Sequence, residues 1–314
     1  MKLSLGTMTI AAALLMFGCA EISAVRAQRN AVEGSFQRTL NVSGVLDLDV
    51  STGSGSIEVR EGGAGRVQIM GTIRVGERDR GRSRAEVMVR DLESNPPIEQ
   101  TGATLRVGHL TDPEYRRNVT ISYDIIVPRN TKVRSRTGSG SMTINGVDGP
   151  VDAETGSGSI DLLDINGNVN VRTGSGSIEA RTTRGEFIAS TGSGRISASL
   201  IGPGNVDVTT GSGSIEVTGV KGALHANSGS GRIVVDGEPT GRWDVSTGSG
   251  SVSVRLPAQA AFDLRAHTGS GGITVDHPVA VQGRIGRRNE INGKVRGGGV
   301  TVDVRTSSGS IHIE

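Results

Sequence analysis

The sequence predicts an all-β protein, built for most of its length as a single-stranded parallel β-helix. A Thr/Ser-Gly-Ser-Gly motif, followed by one residue and then by an apolar side chain, occurs nine times among the 314 residues. The apolar residues that close the copies from Met142 to Ile273 recur at intervals of 18, 18, 18, 19, 18, 19 and 21 residues. Such a period is typical of one supersecondary unit stacked on itself, each copy burying the apolar face of its neighbour.

The residues on both sides of each motif alternate between apolar and polar, which predicts half-buried strands joined by a tight corner. Stacking should place the apolar residues in inward columns, with coils about 4.8 Å apart. Before the corner, the expected column contains Val151 and Ala153, Val169 and Val171, Phe187 and Ala189, Val206 and Val208, Leu224 and Ala226, Trp243 and Val245, and Phe262 and Leu264. After the corner it contains Ile160 and Leu162, Ile178 and Ala180, Ile196 and Ala198, Ile215 and Val217, and Ile233 and Val235.

The composition of the corner suggests how it turns. Glycine adopts positive φ without a Cβ penalty, and the serine between the glycines can bond backbone groups of the turn. Stacking also aligns outward charges, and the position before the corner threonine reads Arg136, Glu154 and Arg172 in successive coils. We therefore expect a ladder of weak surface ion pairs in this column.

Composition excludes several classes of protein. The formal charge is +2, from 34 basic and 32 acidic residues that are interspersed, so the sequence predicts no nucleic-acid partner. With 48 glycines and only four Phe, two Tyr and one Trp, a narrow aliphatic core is expected. Trp243 falls at an inward position of the repeat and is expected to fill that core.

The N-terminal segment, residues 1–27, has the pattern of a secretory signal peptide. Lys2 precedes an apolar stretch over residues 10–17, and Val25 and Ala27 supply the small residues that signal peptidase requires. The apolar stretch is shorter than the ~20 residues of a membrane-spanning helix. The sequence therefore predicts an exported protein, located in the periplasm, on the cell surface or in the medium.

The single cysteine, Cys19, offers an alternative route of processing. It follows Met16-Phe17-Gly18, a loose version of the lipoprotein box in which Phe17 fits poorly. Lipidation at Cys19 is the only basis in the sequence for a membrane anchor. One cysteine also excludes a disulfide within the chain.

Residues 28–135 break the period and are expected to form an irregular β region that caps the solenoid of residues 136–314. No helix is expected after the signal peptide. Strand-like runs cover residues 46–50, 67–75, 85–89, 105–107 and 119–127. Residues 76–84 look like a charged loop, and its Arg78, Arg80, Arg82 and Arg84 are the candidate binding surface. A second interruption, residues 277–299, is expected to be an extended loop.

These features resemble a bacterial family of exported, adhesin-like proteins with GSGSI-type β-strand repeats, the DUF4097-like proteins. The resemblance is carried by the corners from Thr137-Gly138-Ser139-Gly140-Ser141 to Thr268-Gly269-Ser270-Gly271 and by the strand at residues 119–128. It implies a right-handed parallel β-helix in the cell envelope or outside the cell. It implies no catalytic role.

Residues that could support chemistry are few, and no cofactor is expected. The five histidines (109, 225, 267, 277 and 312) have no metal-ligand spacing, and no Ser lies in a nucleophile elbow. Asp161, Asp164, Glu179 and Glu216 lie near one outward column and are expected to be solvated charges. No catalytic, cofactor or metal residue is predicted.

Three functions remain open from the sequence. The first is a non-enzymatic envelope or surface protein, adhesin-like, whose partners are cell-surface or envelope components, including carbohydrate. The second is a carbohydrate-active β-helix enzyme, which would need a cleft with two or more carboxylates. The third is a polymerising scaffold that resembles bactofilins, against which the signal peptide argues. The sequence leaves the oligomeric state open.

Overall fold

The protein is described here from a computed structural model that covers residues 31–76, 81–281 and 289–314. The predicted signal peptide with Cys19, and Arg78 and Arg80 of the predicted binding loop, lie outside these residues.

The described residues form strands β1 to β25 and helices α1 and α2. The strands up to the end of the irregular region are β1 Ala31–Asn41, β2 Leu46–Thr52, β3 Ile57–Gly62, β4 Arg66–Gly76, β5 Ile98–Thr101, β6 Thr104–Val107, β7 Val119–Pro128 and β8 Thr131–Thr137. The strands of the regular coils are β9 Met142–Val147, β10 Val151–Thr155, β11 Ile160–Asn166, β12 Val169–Thr173, β13 Ile178–Arg184, β14 Phe187–Thr191, β15 Ile196–Leu200, β16 Val206–Thr210, β17 Ile215–Ser230, β18 Ile233–Ser249 and β19 Val252–Arg255. The remaining strands are β20 Phe262–Ser270, β21 Ile273–Val275, β22 Val279–Val281, β23 Glu290–Val295, β24 Val300–Ser308 and β25 Ile311–Ile313. The helices are α1 Gly81–Ser94 and α2 Pro113–Asn118.

The predicted parallel β-helix is confirmed. Strands before the corner pair in parallel from β8 through β10, β12, β14 and β16 into β17, and strands after it pair from β9 through β11, β13 and β15 into β17. The register follows the repeat, so that Val151 pairs with Val133 and Val169. All residues of both predicted inward columns are buried, and Trp243 is 0% exposed.

A ladder of buried hydroxyls, which the sequence analysis missed, holds the corners. In the regular coils the corner threonine, replaced by Ser228 in one of them, donates a hydrogen bond to the carbonyl of a corner glycine in the neighbouring coil, as in Thr155 to Gly140 (3.0 Å) and Thr173 to Gly158 (2.9 Å). At Thr137, Thr155, Thr173 and Thr191 the same hydroxyl also accepts the amide N–H of a glycine in its own corner, at 3.1 Å for Gly176 and Thr173. The serines between the glycines are exposed instead.

In the central coils, corner glycines are required by close stacking rather than by positive φ, whereas Gly250 and Gly271 near the C-terminal end have a φ of 147°. A Cβ built on Gly158 would lie 1.8 Å from the carbonyl oxygen of Gly140, and one on Gly176 would lie 1.8 Å from that of Gly158. Neither glycine is among the positive-φ residues of the described ranges. The expectation of positive φ is therefore wrong for these two corners. Glycine is required there because the neighbouring coil occupies the space that a side chain would need.

Replacing Thr173 with valine should destabilise the protein by about 1–3 kcal/mol, because it removes both hydrogen bonds of a buried hydroxyl and leaves backbone groups unpaired. Chemical denaturation followed by circular dichroism would measure the loss. A midpoint unchanged from wild type would show that the ladder contributes nothing.

Thr183 provides the matched control for Thr173. Its side chain is buried between its register partners Ile165 and Leu200, and its hydroxyl has no hydrogen-bond partner in the described part of the chain. Thr183→Val should therefore stabilise the protein by about 1 kcal/mol, since an unpaired buried hydroxyl is replaced by a methyl group of the same shape. Opposite signs for the two substitutions would separate hydrogen bonding from β-propensity.

The N-terminal end of the stack is rearranged. Strand β2 lies between β8 and β6, and strand β3 lies between β9 and β7. The chain therefore leaves the stack after β3, and strands that come later in the sequence pair with both sides of this coil. Beyond β7, strands β4 and β1 add in antiparallel order, and β5 adds antiparallel to β6. This region closes the first end of the solenoid.

The C-terminal end follows the same principle. Strand β24 lies between β18 and β20, and β25 lies between β19 and β21. The last coil in the sequence is thus an interior coil of the stack. The interruption that was predicted to be a loop contains β22 and β23. Strand β23 pairs antiparallel with β20, and β22 pairs antiparallel with β23. Residues 282–288 lie outside the described ranges.

Two helices contradict the expectation that none follows the signal peptide. Residues 85–89, predicted to form a strand, belong to α1, which covers β1 and β4 with its buried side chains Ala85, Met88, Val89 and Leu92. Their spacing of three and four residues is helical, whereas the alternating Val87 is 48% exposed. In α2, the Asp112 carboxylate accepts the amide N–H of Glu114 at 2.7 Å and caps the helix.

Candidate functional site

The structure corrects the expectation that the candidate binding arginines lie on a loop. Arg82 and Arg84 lie on α1 rather than on a loop. Arg84 makes a bidentate ion pair with Glu114, at 3.1 and 2.8 Å, and Arg82 pairs with Glu86 at 3.0 Å. Arg84 therefore ties α1 to α2, whereas Arg82 pairs within α1, and a binding role for these arginines stays a prediction.

The outward column of charges contains one ion pair of the predicted ladder. Arg136 Nε lies 3.8 Å from a carboxylate oxygen of Glu154, and Arg136 Nη2 lies 4.0 Å from one of Asp152. Arg172 is the register partner of Glu154 on the other side. These groups are exposed, so the pairs fix register more than they stabilise the fold.

The four outward carboxylates do not converge on one site. Asp161 and Glu179 are register neighbours on β11 and β13, whereas Glu216 lies on β17 with Ser197 between it and Glu179. Burial, and after it the neighbouring charge of Glu179, raises the pKa of Asp161. Asp164 is directed to a different cluster.

Asp161→Asn should give a small rise in melting temperature at pH 7. The pKa of Asp161 is raised in the folded state, so ionisation at neutral pH destabilises the fold, and this penalty disappears as the pH falls through the raised pKa. The variant should consequently lose its advantage at acid pH. Glu216→Gln is the control, because its register neighbours Ser197 and Val234 are uncharged and the substitution relieves no repulsion between neighbouring carboxylates.

Arg129 joins three coils, a contact that the sequence analysis missed. Its guanidinium donates to Glu61 at 2.8 Å, to Asp164 at 2.9 Å and to Asp148 at 3.0 Å. Hydrogen bonds to Asp164, Asp148 and Glu61, in that order, raise the pKa of Arg129. The cluster is an electrostatic clamp on the outside of the solenoid, and its members are too far apart in sequence to form a recognisable motif.

A polar cleft lies at the C-terminal end, over β20, β23 and β24. It has a volume of about 650 Å³. Its charged and polar lining residues are Asp263, Arg265, His267, Glu290, Asn292, Lys294, Asp303 and Arg305. They come together because β23 adds antiparallel to β20, opposite β24, and so places the outward side chains of three strands on one surface.

A buried carboxylate organises the floor of this cleft. Asp303 is 1% exposed, and one of its oxygens lies 2.5 Å from Arg305 and 3.8 Å from Arg242. Its other oxygen has no hydrogen-bond partner among the described residues, as is true of one oxygen of Asp263. At the rim, the Asn292 amide donates to Glu290 at 2.8 Å.

This arrangement is suited to a neutral, hydrogen-bonding ligand. Three carboxylates face three cations across the cleft, so both donors and acceptors are present and the formal charges cancel. Saccharide hydroxyls, which donate and accept, match such a surface. The cleft could not be predicted from the sequence because β23 lies in the interruption that was predicted to be a loop.

The histidines are spread over the molecule, as their spacing predicted. His225 and His267 are exposed, as expected from their alternation with inward residues, while His277 packs edge-on against Phe262 with ring centroids 5.6 Å apart. His109 lies 3.4 Å from Asp49, and His312 lies 3.4 Å from both Asp276 and Glu314. Within residues 31–76, 81–281 and 289–314, no group of three or more His, Cys, Asp or Glu side chains is placed to hold a metal ion.

Comparisons with known proteins give one family match. The model of the family described as Toastrack DUF4097 matches residues 47–314. In the part of the chain that the structure describes, no helix is both long and apolar enough to cross a membrane. No curated protein matches the chain.

Two solved structures are similar at low identity. One is described as a "putative cell adhesion protein" from Clostridium sporogenes ATCC 15579, with 12% identity, a TM-score of 0.24, and coverage of 90% of this chain and 99% of that one. The other is described as a "putative adhesin" from Bacteroides fragilis NCTC 9343, with 13% identity, a TM-score of 0.34, and coverage of 90% and 97%. At these TM-scores neither structure supports an inference about this chain.

Proposed function

The chain belongs to the Toastrack DUF4097 family, and from that membership and the stacked outward faces we propose that it is a non-enzymatic, adhesin-like scaffold. It would act outside the cytoplasm, in the cell envelope or at the cell surface. The observation that carries the proposal is the regular register of the coils, which holds outward side chains in straight columns on a rigid support.

The stacked coils favour binding to an extended partner. Each coil repeats its outward positions at the spacing of neighbouring strands, about 4.8 Å, so a long ligand would meet the same geometry many times. Repeated weak contacts of this kind give high avidity without a deep pocket. The threonine ladder and the close glycine corners keep the columns aligned.

Within this proposal, the C-terminal cleft is the expected site of carbohydrate contacts, because it offers both hydrogen-bond donors and acceptors with no net formal charge. The test is binding of the purified protein to a glycan array and to isolated envelope fractions. We expect saturable binding that falls at least about fivefold when Arg265 and Asn292 are both changed to alanine.

Arg117→Ala is the control for the cleft variant, since Arg117 is exposed on α2 and lies outside both the outward columns and the cleft. It should bind like wild type. Absence of binding to every glycan and every envelope fraction would contradict the adhesin-like function. Equal losses in both variants would contradict the role of the cleft.

Export has a separate test. Mass spectrometry of the mature protein should give an N-terminus at Gln28 if signal peptidase cleaves after Ala27. A diacylated N-terminus at Cys19 would instead show a lipoprotein, anchored to a membrane. An unprocessed chain that stays in the cytoplasm would contradict the proposed location.

A carbohydrate-active enzyme is the second candidate, because the cleft contains the carboxylates Asp263, Glu290 and Asp303. Against it, one oxygen of Asp303 is already paired with Arg305 and Arg242, and Glu290 accepts from Asn292. Release of reducing ends in a glycan-degradation screen, abolished by Glu290→Gln, would favour the enzyme. The antiparallel strands at both ends count against bactofilin-like end-to-end polymerisation.

A further inference from the structure

At the N-terminal end, one corner of the stack is opened into a cavity. The coil of β6 and β7 pairs with β2 and β3 like any other coil, but residues 108–118, which include α2, replace its short Gly-Ser-Gly corner. The cavity is lined on one side by Ser51, Thr52 and Gly53 of the adjacent corner. It has a volume of about 680 Å³, which is in the range of small-molecule sites.

Tyr123 marks this cavity as different from an ordinary corner. In register, Tyr123 pairs with Ile57, which pairs with Met142, so the tyrosine occupies the position that an aliphatic residue fills in every regular coil. Its ring is buried and meets Phe36 edge-on, with centroids 6.4 Å apart. Its hydroxyl lies beside Gly108 at the cavity wall and has no hydrogen-bond partner among the described residues.

The lining combines apolar residues with a cation. The apolar residues are Leu110, Val119, Ile121 and the ring of Tyr123. Arg116 of α2 also lines the cavity, and its guanidinium has no carboxylate within ion-pair distance in the described part of the chain. An unneutralised arginine beside an apolar wall matches a ligand that has a negative head and an apolar body.

We propose that this cavity is a binding site for a small amphipathic anion, with a carboxylate or a phosphate as its head. Arg116 pairs with the anionic head, and the apolar body lies on Val119 and Ile121. The hydroxyl of Tyr123 gains the hydrogen-bond partner that it lacks in the free protein. The site is independent of the adhesin-like function and of the C-terminal cleft.

The experiment uses 8-anilinonaphthalene-1-sulfonate, a fluorescent probe with an aromatic body and a sulfonate head. We expect saturable binding at one site, with affinity reduced about tenfold by Arg116→Gln, the loss expected when a charged hydrogen bond is removed. Arg117→Gln is the matched control, because Arg117 is the exposed neighbour on the same helix and does not line the cavity. It should leave the affinity unchanged.

Tyr123→Phe gives a second test that leaves the core intact. It should weaken binding of the probe about threefold to fivefold without lowering the melting temperature, since it removes only an unpaired hydroxyl. Competition with decanoate, decyl phosphate and decanol then identifies the head: either anion should displace the probe, and the better competitor shows which head is preferred. Failure of both anions to compete, equal effects at Arg116 and Arg117, or an absence of saturable binding would overturn the proposal.

Discussion

Gly158→Ala is expected to destabilise the protein by at least about 3 kcal/mol. The new Cβ would lie 1.8 Å from the carbonyl oxygen of Gly140 and 2.9 Å from the amide nitrogen of Ser141. Both are backbone atoms, so relief requires two coils to separate. Separation would also break the hydrogen bond from Thr155 to Gly140. Urea denaturation followed by circular dichroism measures the effect.

Gly272→Ala is the control for Gly158. Gly272 follows a corner of the same kind, but nothing lies within 4 Å of its Cβ position and its φ is not in the left-handed region. The regular coils carry serine at the equivalent position, for example Ser159 and Ser177. The variant should therefore unfold within about 0.5 kcal/mol of wild type. A Gly158→Ala protein with the same midpoint as this control would refute the close-stacking explanation.

Trp243→Ala should cost about 3–5 kcal/mol, the range for removing a large buried aromatic side chain. Trp243 is 0% exposed and is the largest fully buried side chain of the core. Its register neighbours are Leu224 and Val302, so the cavity would lie between a regular coil and the inserted C-terminal coil. Thermal and urea unfolding should both show the loss.

Trp243→Phe separates packing from hydrogen bonding at this position. The indole N–H donates to the carbonyl of Gly222 at 3.0 Å, and phenylalanine keeps a ring while it removes that bond. The expected loss is about half that of the alanine variant or less, from a smaller cavity and one unpaired carbonyl. If the alanine variant were as stable as the phenylalanine variant, packing of the Trp243 ring would not stabilise the core.

The central coils could be predicted from the sequence because every coil repeats the same local constraint. The interval between Ile160 and Ile178 sets the register, and the alternation around it sets which side chains are buried. A signal for the threonine ladder is present as well, since a threonine begins almost every corner. The sequence predicts hydrogen bonding by the corner serine rather than by the threonine, because it does not show which of the two hydroxyls points inward.

The ends could not be predicted in the same way, because non-periodic contacts decide them. Ala85 and Val89 fit both a strand and a helix over this short run, and only Met88 and Leu92 make the helical stripe complete. The position of the C-terminal coil depends on the pairing of β24 with both β18 and β20, which no local pattern encodes. The C-terminal cleft and the cavity beside Tyr123 both arise from such pairings.

The rearranged ends also determine when each part of the molecule can form. Val151 pairs with Val169 of the coil that directly follows it in the chain, whereas the pairings of Leu48 with Val133 and of Val245 with Val304 each span several coil lengths. Because loop entropy grows with the logarithm of loop length, closing the longest of these loops costs about 1.4 kcal/mol more than closing a single coil. Folding should therefore nucleate among the middle coils and spread outward, and the two terminal closures should be the slowest steps and the first to open under stress.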